Sequence, residues 1–184
     1  AQKLPDVPKG TPVKDIKTAA VIGCGTMGGG IAMCFADAGI PVKVLEGSQE
    51  ALDRGMAKVR NNYEVSVKRG SLAAEEMERR FARIEPVLDY AAIGGQDVVI
   101  EAVFEQMDVK QEVFKKLDET MKDGALILSN TSALDIDEIA SVTKRPQDIA
   151  GAHFFSPANV MKLLEVVKGS KSSGETVAST MALG

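Results

Sequence analysis

The chain has 184 residues, of which 45% are apolar and 26% are charged, and its formal net charge is −4. This size fits one domain, and the apolar fraction excludes intrinsic disorder. The acidic balance and the 4% aromatic content argue against nucleic acid as a partner, and no apolar run approaches the roughly 20 residues of a membrane span.

The first 14 residues differ in character from the rest of the chain. They contain Pro5, Pro8 and Pro12 and show no periodic pattern, which predicts an extended linker at 1–14 and a folded domain at 15–184. No secretory signal is visible, because this segment lacks an apolar core. Since the chain begins with Ala rather than Met and stops directly after a helix-like run, we expect it to be a piece of a longer protein.

From residue 16 onward, short apolar runs bounded by turn residues alternate with longer segments of helical periodicity. Strands are predicted at 17–23, 42–45, 84–88, 98–103, 126–128, 149–153 and 164–167. Helices are predicted at 27–38, 49–69, 71–82, 108–121 and 135–141, and a last helix to residue 183 begins at a capping box of Ser172 and Glu175. This alternation predicts an α/β domain with a doubly wound, mostly parallel sheet and helices on both faces.

The segment GCGTMG between the first predicted strand and helix matches the pattern G-x-G-x-x-G. In a dinucleotide-binding turn, Gly23 makes the bend, Gly25 lets the backbone approach a pyrophosphate, and Gly28 allows close helix packing. The helix that begins near Thr26 and Met27 then presents free amide groups to the phosphates. Glycines of an ordinary tight turn are the alternative.

Glu46 stands at the end of the second predicted strand, roughly 20 residues after the glycines, where a carboxylate can accept both hydroxyl groups of a ribose. The same carboxylate would repel a 2′-phosphate. The alternative is a solvated acid at a strand end. Together with the glycine pattern, Glu46 predicts NAD rather than NADP as the cofactor.

The two cysteines, Cys24 and Cys34, are too few for a disulfide framework, and no histidine or further cysteine stands near them to complete a zinc site. We therefore expect two reduced thiols, as is typical of a cytoplasmic compartment, and no bound metal.

The only histidine, His153, ends a predicted strand beside two phenylalanines. It is either a satisfied core residue or an acid–base group, which needs one imidazole and one partner to orient it. Glu165 lies in the apolar run LLEVV, where burial of an unpaired carboxylate is costly. We therefore expect Glu165 to have a hydrogen-bonding partner, for which His153 is a candidate.

Four segments together resemble the NAD-binding domain of the L-3-hydroxyacyl-CoA dehydrogenase family. They are GCGTMG at 23–28, VVIEAVFE at 98–105, SNTSAL at 129–134 and HFFSPANVMKLLEV at 153–166, in the family's order and spacing. The resemblance extends from about Lys14 to Gly184 and implies a Rossmann-type fold. It is strongest to the dehydrogenase part of multifunctional fatty-acid oxidation enzymes, in which a proline-containing linker joins an enoyl-CoA hydratase/isomerase half to this domain.

The resemblance implies an NAD-dependent oxidation of (3S)-3-hydroxyacyl-CoA to 3-oxoacyl-CoA. In it, His153 is the general base, Glu165 is its orienting carboxylate, and Ser132 contacts the substrate and the nicotinamide. A cytoplasmic, bacterial-type protein with a thiolase as partner is implied, with a peroxisomal or mitochondrial parent as the alternative.

Three further positions match family contacts to the cofactor. Asn130 lies in the same turn as Ser132, while Glu105 and Lys110 match residues on the ribose and phosphate side. A strand-end acid and a solvated helix lysine are the alternatives for these two. The chain departs from the family pattern at Ser156, where many single-function relatives have Asn.

The family's further catalytic Asn and its helical substrate and dimerisation domain would lie beyond Gly184. A binding module that holds NAD without turnover is therefore the alternative function for this chain. A second alternative, a 3-hydroxyisobutyrate-type dehydrogenase, would use a lysine on a later helix and gives no reason for His153 and Glu165.

Overall fold

The computed structural model describes residues 7–184, and one seven-stranded sheet forms its centre. The strands are β1 Ala19–Ile22, β2 Val42–Leu45, β3 Ile84–Val87, β4 Val98–Glu101, β5 Leu126–Ser129, β6 Ile149–Phe154 and β7 Leu164–Val167. Their order in the sheet is β3-β2-β1-β4-β5-β6-β7, and all neighbours are parallel except β6 and β7. The predicted doubly wound, mostly parallel sheet is confirmed.

Residues 7–184 contain six α-helices, of which the last follows β7 and the others lie between strands. They are α1 Thr26–Asp37, α2 Gln49–Lys68, α3 Ala74–Phe81, α4 Met107–Thr120, α5 Ile136–Ala140 and α6 Gly174–Ala182. Short 3-10 turns occupy Tyr90–Ile93 and Pro146–Asp148. Within residues 7–184, none of the helices has the length and apolar character needed to cross a membrane.

Strand residues alternate between two apolar cores, one on each face of the sheet. Val21 and Ile100 pack with residues of α1, α2 and α3, whereas Ala20 and Val99 pack with residues of α4 and α5. Because both faces are covered, the central strands are apolar at almost every position, which is the usual pattern of buried parallel strands.

The last helix begins one residue later than the predicted capping box requires. The N-cap is Ser173, whose Oγ accepts a hydrogen bond from the amide of Thr176 at 3.0 Å. The hydroxyl of Ser172 instead donates to the carbonyl of Ile149 at 2.5 Å and accepts from the amide of Gly169. The predicted cap at Ser172 was therefore wrong, because the buried carbonyl at the start of β6 engages that hydroxyl.

The predicted linker at 1–14 is only partly described, since residues 1–6, including Pro5, lie outside the described residues. Residues 7–14 form neither helix nor strand. At their end, the amide of Lys14 donates to Ser179 Oγ at 2.8 Å, and Lys14 Nζ donates to the carbonyl of Gly124. These contacts join the end of the segment to the folded part.

Candidate functional site

The carboxyl ends of the parallel strands meet at one edge of the sheet, where the order of connections reverses between β1 and β4. In doubly wound folds the ligand crevice lies at such a reversal. The glycine segment follows β1, Glu46 follows β2, and Asn130 follows β5 at this edge. The topology therefore brings together residues that are far apart in sequence.

The turn after β1 requires glycine at two positions. Gly23 has a φ of +97°, its amide donates to the carbonyl of Leu45 at 2.8 Å, and a Cβ atom there would approach the carbonyl oxygen of Ala102 to 2.8 Å. A Cβ atom on Gly28 would overlap the carbonyl oxygen of Gly23. The bend and the close packing of α1 therefore both depend on the absence of a side chain.

The start of α1 fits an anionic group such as a pyrophosphate. Its N-cap is Gly25, so no side chain caps the helix, and the first turn contains no acidic residue. The space around a Cβ atom on Gly25 is open, and the amide of Gly29 is the first to bond within the helix, to the carbonyl of Gly25. The amides of Thr26 and Met27 are thus free to bind an anion.

The carboxylate of Glu46 lies against the same turn. Its Oε1 accepts a hydrogen bond from the amide of Cys24 at 2.7 Å, and its Oε2 accepts from the amide of Gly47 at 3.1 Å. This arrangement places an acceptor for ribose hydroxyls directly beside the glycine turn. Glu46 is half-buried, and its binding of a ribose stays a prediction.

His153 and Glu165 face each other across the antiparallel pair β6 and β7. His153 Nδ1 lies 3.2 Å from Glu165 Oε2, and the two side chains are 21% and 63% exposed. The predicted pairing is therefore present, but its premise, burial of Glu165, was wrong. Glu165 points to the open side of an edge strand, while its sequence neighbours point to the other side.

The geometry of this pair suits proton transfer. When Nδ1–H donates to the carboxylate, Nε2 of the same ring keeps a free lone pair that can accept a proton. The ring of Phe155 packs against the imidazole with 4.8 Å between the ring centroids. The orientation of the imidazole is thus set by the carboxylate of Glu165 and the ring of Phe155.

A cleft of about 330 Å³ lies beside His153. Its lining includes six positions singled out in the sequence, namely Met27, Glu105, Asn130, Ser132, His153 and Ser156. Asn130 Oδ1 accepts a hydrogen bond from the amide of Phe154 at 2.8 Å, which joins the end of β5 to the end of β6. The cleft extends from the start of α1 to the imidazole.

Glu105 lies at the wall of this cleft and accepts a hydrogen bond from Thr131 Oγ1. Burial raises the pKa of Glu105, but the hydrogen bond from Thr131 and the charge of Lys110 outweigh it, so the pKa lies below its usual range. Glu105 is therefore a carboxylate anion at neutral pH.

Lys110 is almost fully buried, so the alternative of a solvated helix lysine is wrong. Its Nζ lies 2.5 Å from Oε1 of Glu101 and 3.7 Å from Oε2 of Glu105. Direct contact between Lys110 and a cofactor stays a prediction.

Three functional candidates escaped the sequence analysis. Glu101 and Thr131 are buried polar residues directly behind Glu105. Gly55 of α2 lies against the glycine turn, where a Cβ atom would overlap the carbonyl of Cys24. A charge that ends an apolar strand, and a glycine within a helix, were the available signals.

Both cysteines are free thiols, as expected. Burial, followed by the charge of Glu46, raises the pKa of Cys24 to about 11. Burial and the charge of Asp37 raise the pKa of Cys34 to about 11 as well. Neither thiol is a nucleophile at neutral pH.

Residues 18–184 match the family "3-hydroxyacyl-CoA dehydrogenase, NAD binding domain". The chain is 42% identical over 169 residues to the fatty acid oxidation complex subunit alpha of Psychrobacter sp. (strain PRwf-1), covering 92% of this chain and 24% of that protein. It is 44% identical over 171 residues to the peroxisomal bifunctional enzyme of Danio rerio, covering 93% of this chain and 23% of that protein. The chain thus spans about a quarter of the length of these curated relatives.

A solved structure is similar as well. The crystal structure of 3-hydroxybutyryl-CoA dehydrogenase from Escherichia coli K12 superposes with a TM-score of 0.89 at 42% identity. The match covers 92% of this chain and 36% of that one.

Proposed function

Because the chain belongs to the family of 3-hydroxyacyl-CoA dehydrogenase NAD-binding domains, we propose that it provides the cofactor site and the proton-transferring histidine of a longer fatty-acid oxidation enzyme. The reaction is the oxidation of (3S)-3-hydroxyacyl-CoA to 3-oxoacyl-CoA. The observation that carries this proposal is the His153–Glu165 pair at a cleft that extends to the uncapped start of α1.

The cofactor is held by groups of the chain itself. The free amides of Thr26 and Met27 at the start of α1 would bind the pyrophosphate, and Glu46 would bind the hydroxyls of the adenosine ribose. Glu105 and Lys110 would contact the ribose and phosphate side of the nicotinamide half, and Asn130 would lie at the same cleft. When bound, NAD would supply the acceptor for the hydride that leaves the carbon bearing the substrate hydroxyl.

The proton of that hydroxyl goes to Nε2 of His153. Glu165 keeps Nδ1 protonated, so the lone pair of Nε2 faces the substrate, and its negative charge stabilises the imidazolium that forms. Ser132, exposed at the cleft, donates a hydrogen bond to the substrate oxygen. One C–H and one O–H bond are broken, a C=O double bond forms, and hydride and proton leave separately.

The parent protein has a wider organisation in this proposal. Residues 1–14 link the domain at 15–184 to a preceding part, and a helical substrate domain follows it. Support comes from the length of the relatives, of which the chain spans about a quarter. A thiolase is the proposed partner, because one relative is named as a subunit of a fatty acid oxidation complex. The proposed compartment is the bacterial cytoplasm, with a peroxisome or mitochondrion as the eukaryotic counterpart.

Replacement of His153 tests the proposal directly. In the longer protein, His153→Ala should lower kcat by about 10²–10⁴, the usual contribution of one general base, in an assay of NADH oxidation with acetoacetyl-CoA. The calorimetric Kd for NAD+ should stay within about threefold of the unsubstituted protein, because the glycine turn and Glu46 make that contact. Loss of NAD+ affinity together with unfolding would instead mean that His153 is a core residue.

A matched control uses the partner of the histidine. Glu165→Gln keeps an acceptor for Nδ1–H but removes the charge that stabilises the imidazolium, so its kcat should lie between those of the unsubstituted protein and His153→Ala. An exposed carboxylate outside the cleft, in the variant Glu50→Gln, should leave kcat unchanged.

A further inference from the structure

Glu101 is fully buried at the end of an otherwise apolar strand. Its charge is compensated by Lys110, whose ammonium lies 2.5 Å from Oε1 and 2.8 Å from Oε2. Removing both charges from water costs as much as their attraction returns, so an apolar pair of the same volume would be about as stable. The presence of this ion pair therefore calls for a reason other than stability.

The pair belongs to a closed ring of polar contacts. Oε2 of Glu101 accepts a hydrogen bond from Ser129 Oγ at 3.2 Å, and Ser129 Oγ accepts from the amide of Thr131 at 3.3 Å. Thr131 Oγ1 donates to Glu105, whose other carboxylate oxygen lies 3.7 Å from Nζ of Lys110. The ring thus joins the ends of β4 and β5 to the first turn of α4.

One member of the ring lines the cleft, and a second lies between two lining residues in the sequence. Glu105 forms part of its wall, and Thr131 lies between Asn130 and Ser132, which also line it. The backbone amide of Asn130 donates to the carbonyl of Glu101 at 2.8 Å, which fixes the start of the same turn. Glu101 is thus connected through Lys110 to Glu105, and through Ser129 and its own carbonyl to the turn that begins at Asn130.

We propose that Glu101 is a positioning residue for the cofactor site: through Lys110 and Ser129 it holds Glu105 and the turn at 130–132 in the geometry that binds the nicotinamide half of NAD. This inference rests on the proposed function. Without the charge of Glu101, the nearest remaining carboxylate for Lys110 is Glu105, so the ammonium draws Glu105 away from Thr131 and out of the cleft.

The test uses the 184-residue chain, with the NAD+ Kd from calorimetry and the urea midpoint as separate readouts. Glu101→Gln should weaken NAD+ binding about tenfold, within the range of coupling between linked groups. The double variant Glu101→Leu/Lys110→Met replaces the ion pair by apolar side chains and should recover the urea midpoint. Its NAD+ affinity should stay at least about tenfold weaker, because Glu105 and Ser129 have lost their anchors and Lys110 is itself a proposed contact of NAD.

A second ion pair with little exposure provides the control. Asp118 Oδ1 lies 3.5 Å from Arg145 Nε, at the end of α4 that is remote from the cleft. Asp118→Asn should lower the urea midpoint and leave the NAD+ Kd unchanged. The comparison shows whether weaker NAD+ binding follows from lower stability alone or from displacement of Glu105 and the turn at 130–132.

Two results would overturn the inference. One is NAD+ binding by Glu101→Gln within about twofold of the unsubstituted chain, and the other is recovery of affinity together with the midpoint in the double variant. Should the single variant fail to fold, Ser129→Ala decides, since it removes one link of the ring without replacing a residue proposed to contact NAD, and it should weaken binding. An unsubstituted chain that does not bind NAD+ would refute the proposed function itself.

Discussion

In the proposed function, the choice between two dinucleotides depends on the single carboxylate of Glu46. It accepts hydrogen bonds from the amides of Cys24 and Gly47, which hold it beside the glycine turn. A ribose with two free hydroxyls can donate to this carboxylate, whereas a 2′-phosphate would meet a like charge. The proposal thus makes cofactor specificity an electrostatic property of one side chain.

We predict that Glu46→Ala narrows the preference for NAD over NADP by about 1–3 kcal/mol, the contribution of a hydrogen bond to a charged group. Calorimetric titration of the 184-residue chain with both cofactors measures the difference. Glu50→Ala, which removes an exposed carboxylate in the next helix, serves as the control and should leave the preference unchanged. Equal affinities of the unsubstituted chain for the two cofactors would contradict the role of Glu46.

At the scale of elements, the turn between β1 and α1 uses its glycines for different purposes. Gly28 has the carbonyl of Gly23 directly above it, whereas Gly25 has open space where a side chain would extend. We therefore expect Gly28 to be needed for folding and Gly25 for the approach of a ligand. Gly55 also serves folding, because the absence of a side chain lets α2 lie against the carbonyl of Cys24.

Two alanine substitutions separate these purposes. Gly28→Ala forces the start of α1 away from β1 and should lower the free energy of unfolding by about 1–3 kcal/mol or more, as overpacking does. Gly25→Ala, with a φ of −73° that alanine adopts readily, should leave the urea midpoint nearly unchanged and weaken NAD+ binding by blocking the phosphates. The idea fails if Gly25→Ala binds NAD+ as well as the unsubstituted chain does.

At the scale of the whole molecule, Asp97 lies at the edge of the sheet opposite the cleft, where three donors surround its carboxylate. This carboxylate accepts hydrogen bonds from the amides of Lys17 and Thr18 at 2.8 and 3.0 Å and from Lys122 Nζ at 2.5 Å. Burial raises the pKa of Asp97, but these donors outweigh burial and hold the pKa below its ordinary value. Asp97 thereby joins the start of β1 to the start of β4.

Asp97 should contribute to the acid sensitivity of the fold. A carboxylate whose pKa is lower in the folded than in the unfolded chain stabilises the fold fully above the unfolded pKa, about 3.9, and loses that contribution as the pH falls through the folded pKa. Asp97→Asn should therefore cost about 1.5–3 kcal/mol at pH 7 and less in acid. Urea unfolding of the unsubstituted chain and of Asp97→Asn, from pH 7 down to a pH below about 3.9, measures this difference in the free energy of unfolding. A cost independent of pH would exclude the ionised carboxylate as its source.

The 184-residue chain is expected to separate cofactor binding from turnover. The glycine turn, Glu46 and Glu105 lie in one sheet, so NAD+ binding should be retained. The cleft is open, with Ser132 exposed and the Glu165 side chain 63% exposed, so water competes at His153 and the substrate is poorly oriented. Turnover of acetoacetyl-CoA should be at least about 100-fold below that of the longer protein. Turnover within about tenfold of it would show that the other parts are dispensable.

The features that the sequence predicted well are those encoded by neighbouring residues. The glycine turn was predictable because its glycines stand between a strand and a helix, and Glu46 was predictable because a βα unit has a regular length. The pairing of His153 with Glu165 was anticipated, but the exposure of Glu165 was not. The apolar residues on either side of it point to the opposite face of β7, and one face of that edge strand is open.

The sequence by itself thus determined the sheet, the glycine turn and the position of the acidic partner, because periodicity and backbone requirements are local properties of the chain. Only the tertiary structure decided the ring of Glu101, Lys110, Ser129, Thr131 and Glu105, whose members come from two strands, a turn and a helix. It also decided that the hydroxyl of Ser172 bonds the carbonyl of Ile149 rather than caps α6. Such contacts depend on which groups are buried together without water, and burial is a property of the packed molecule.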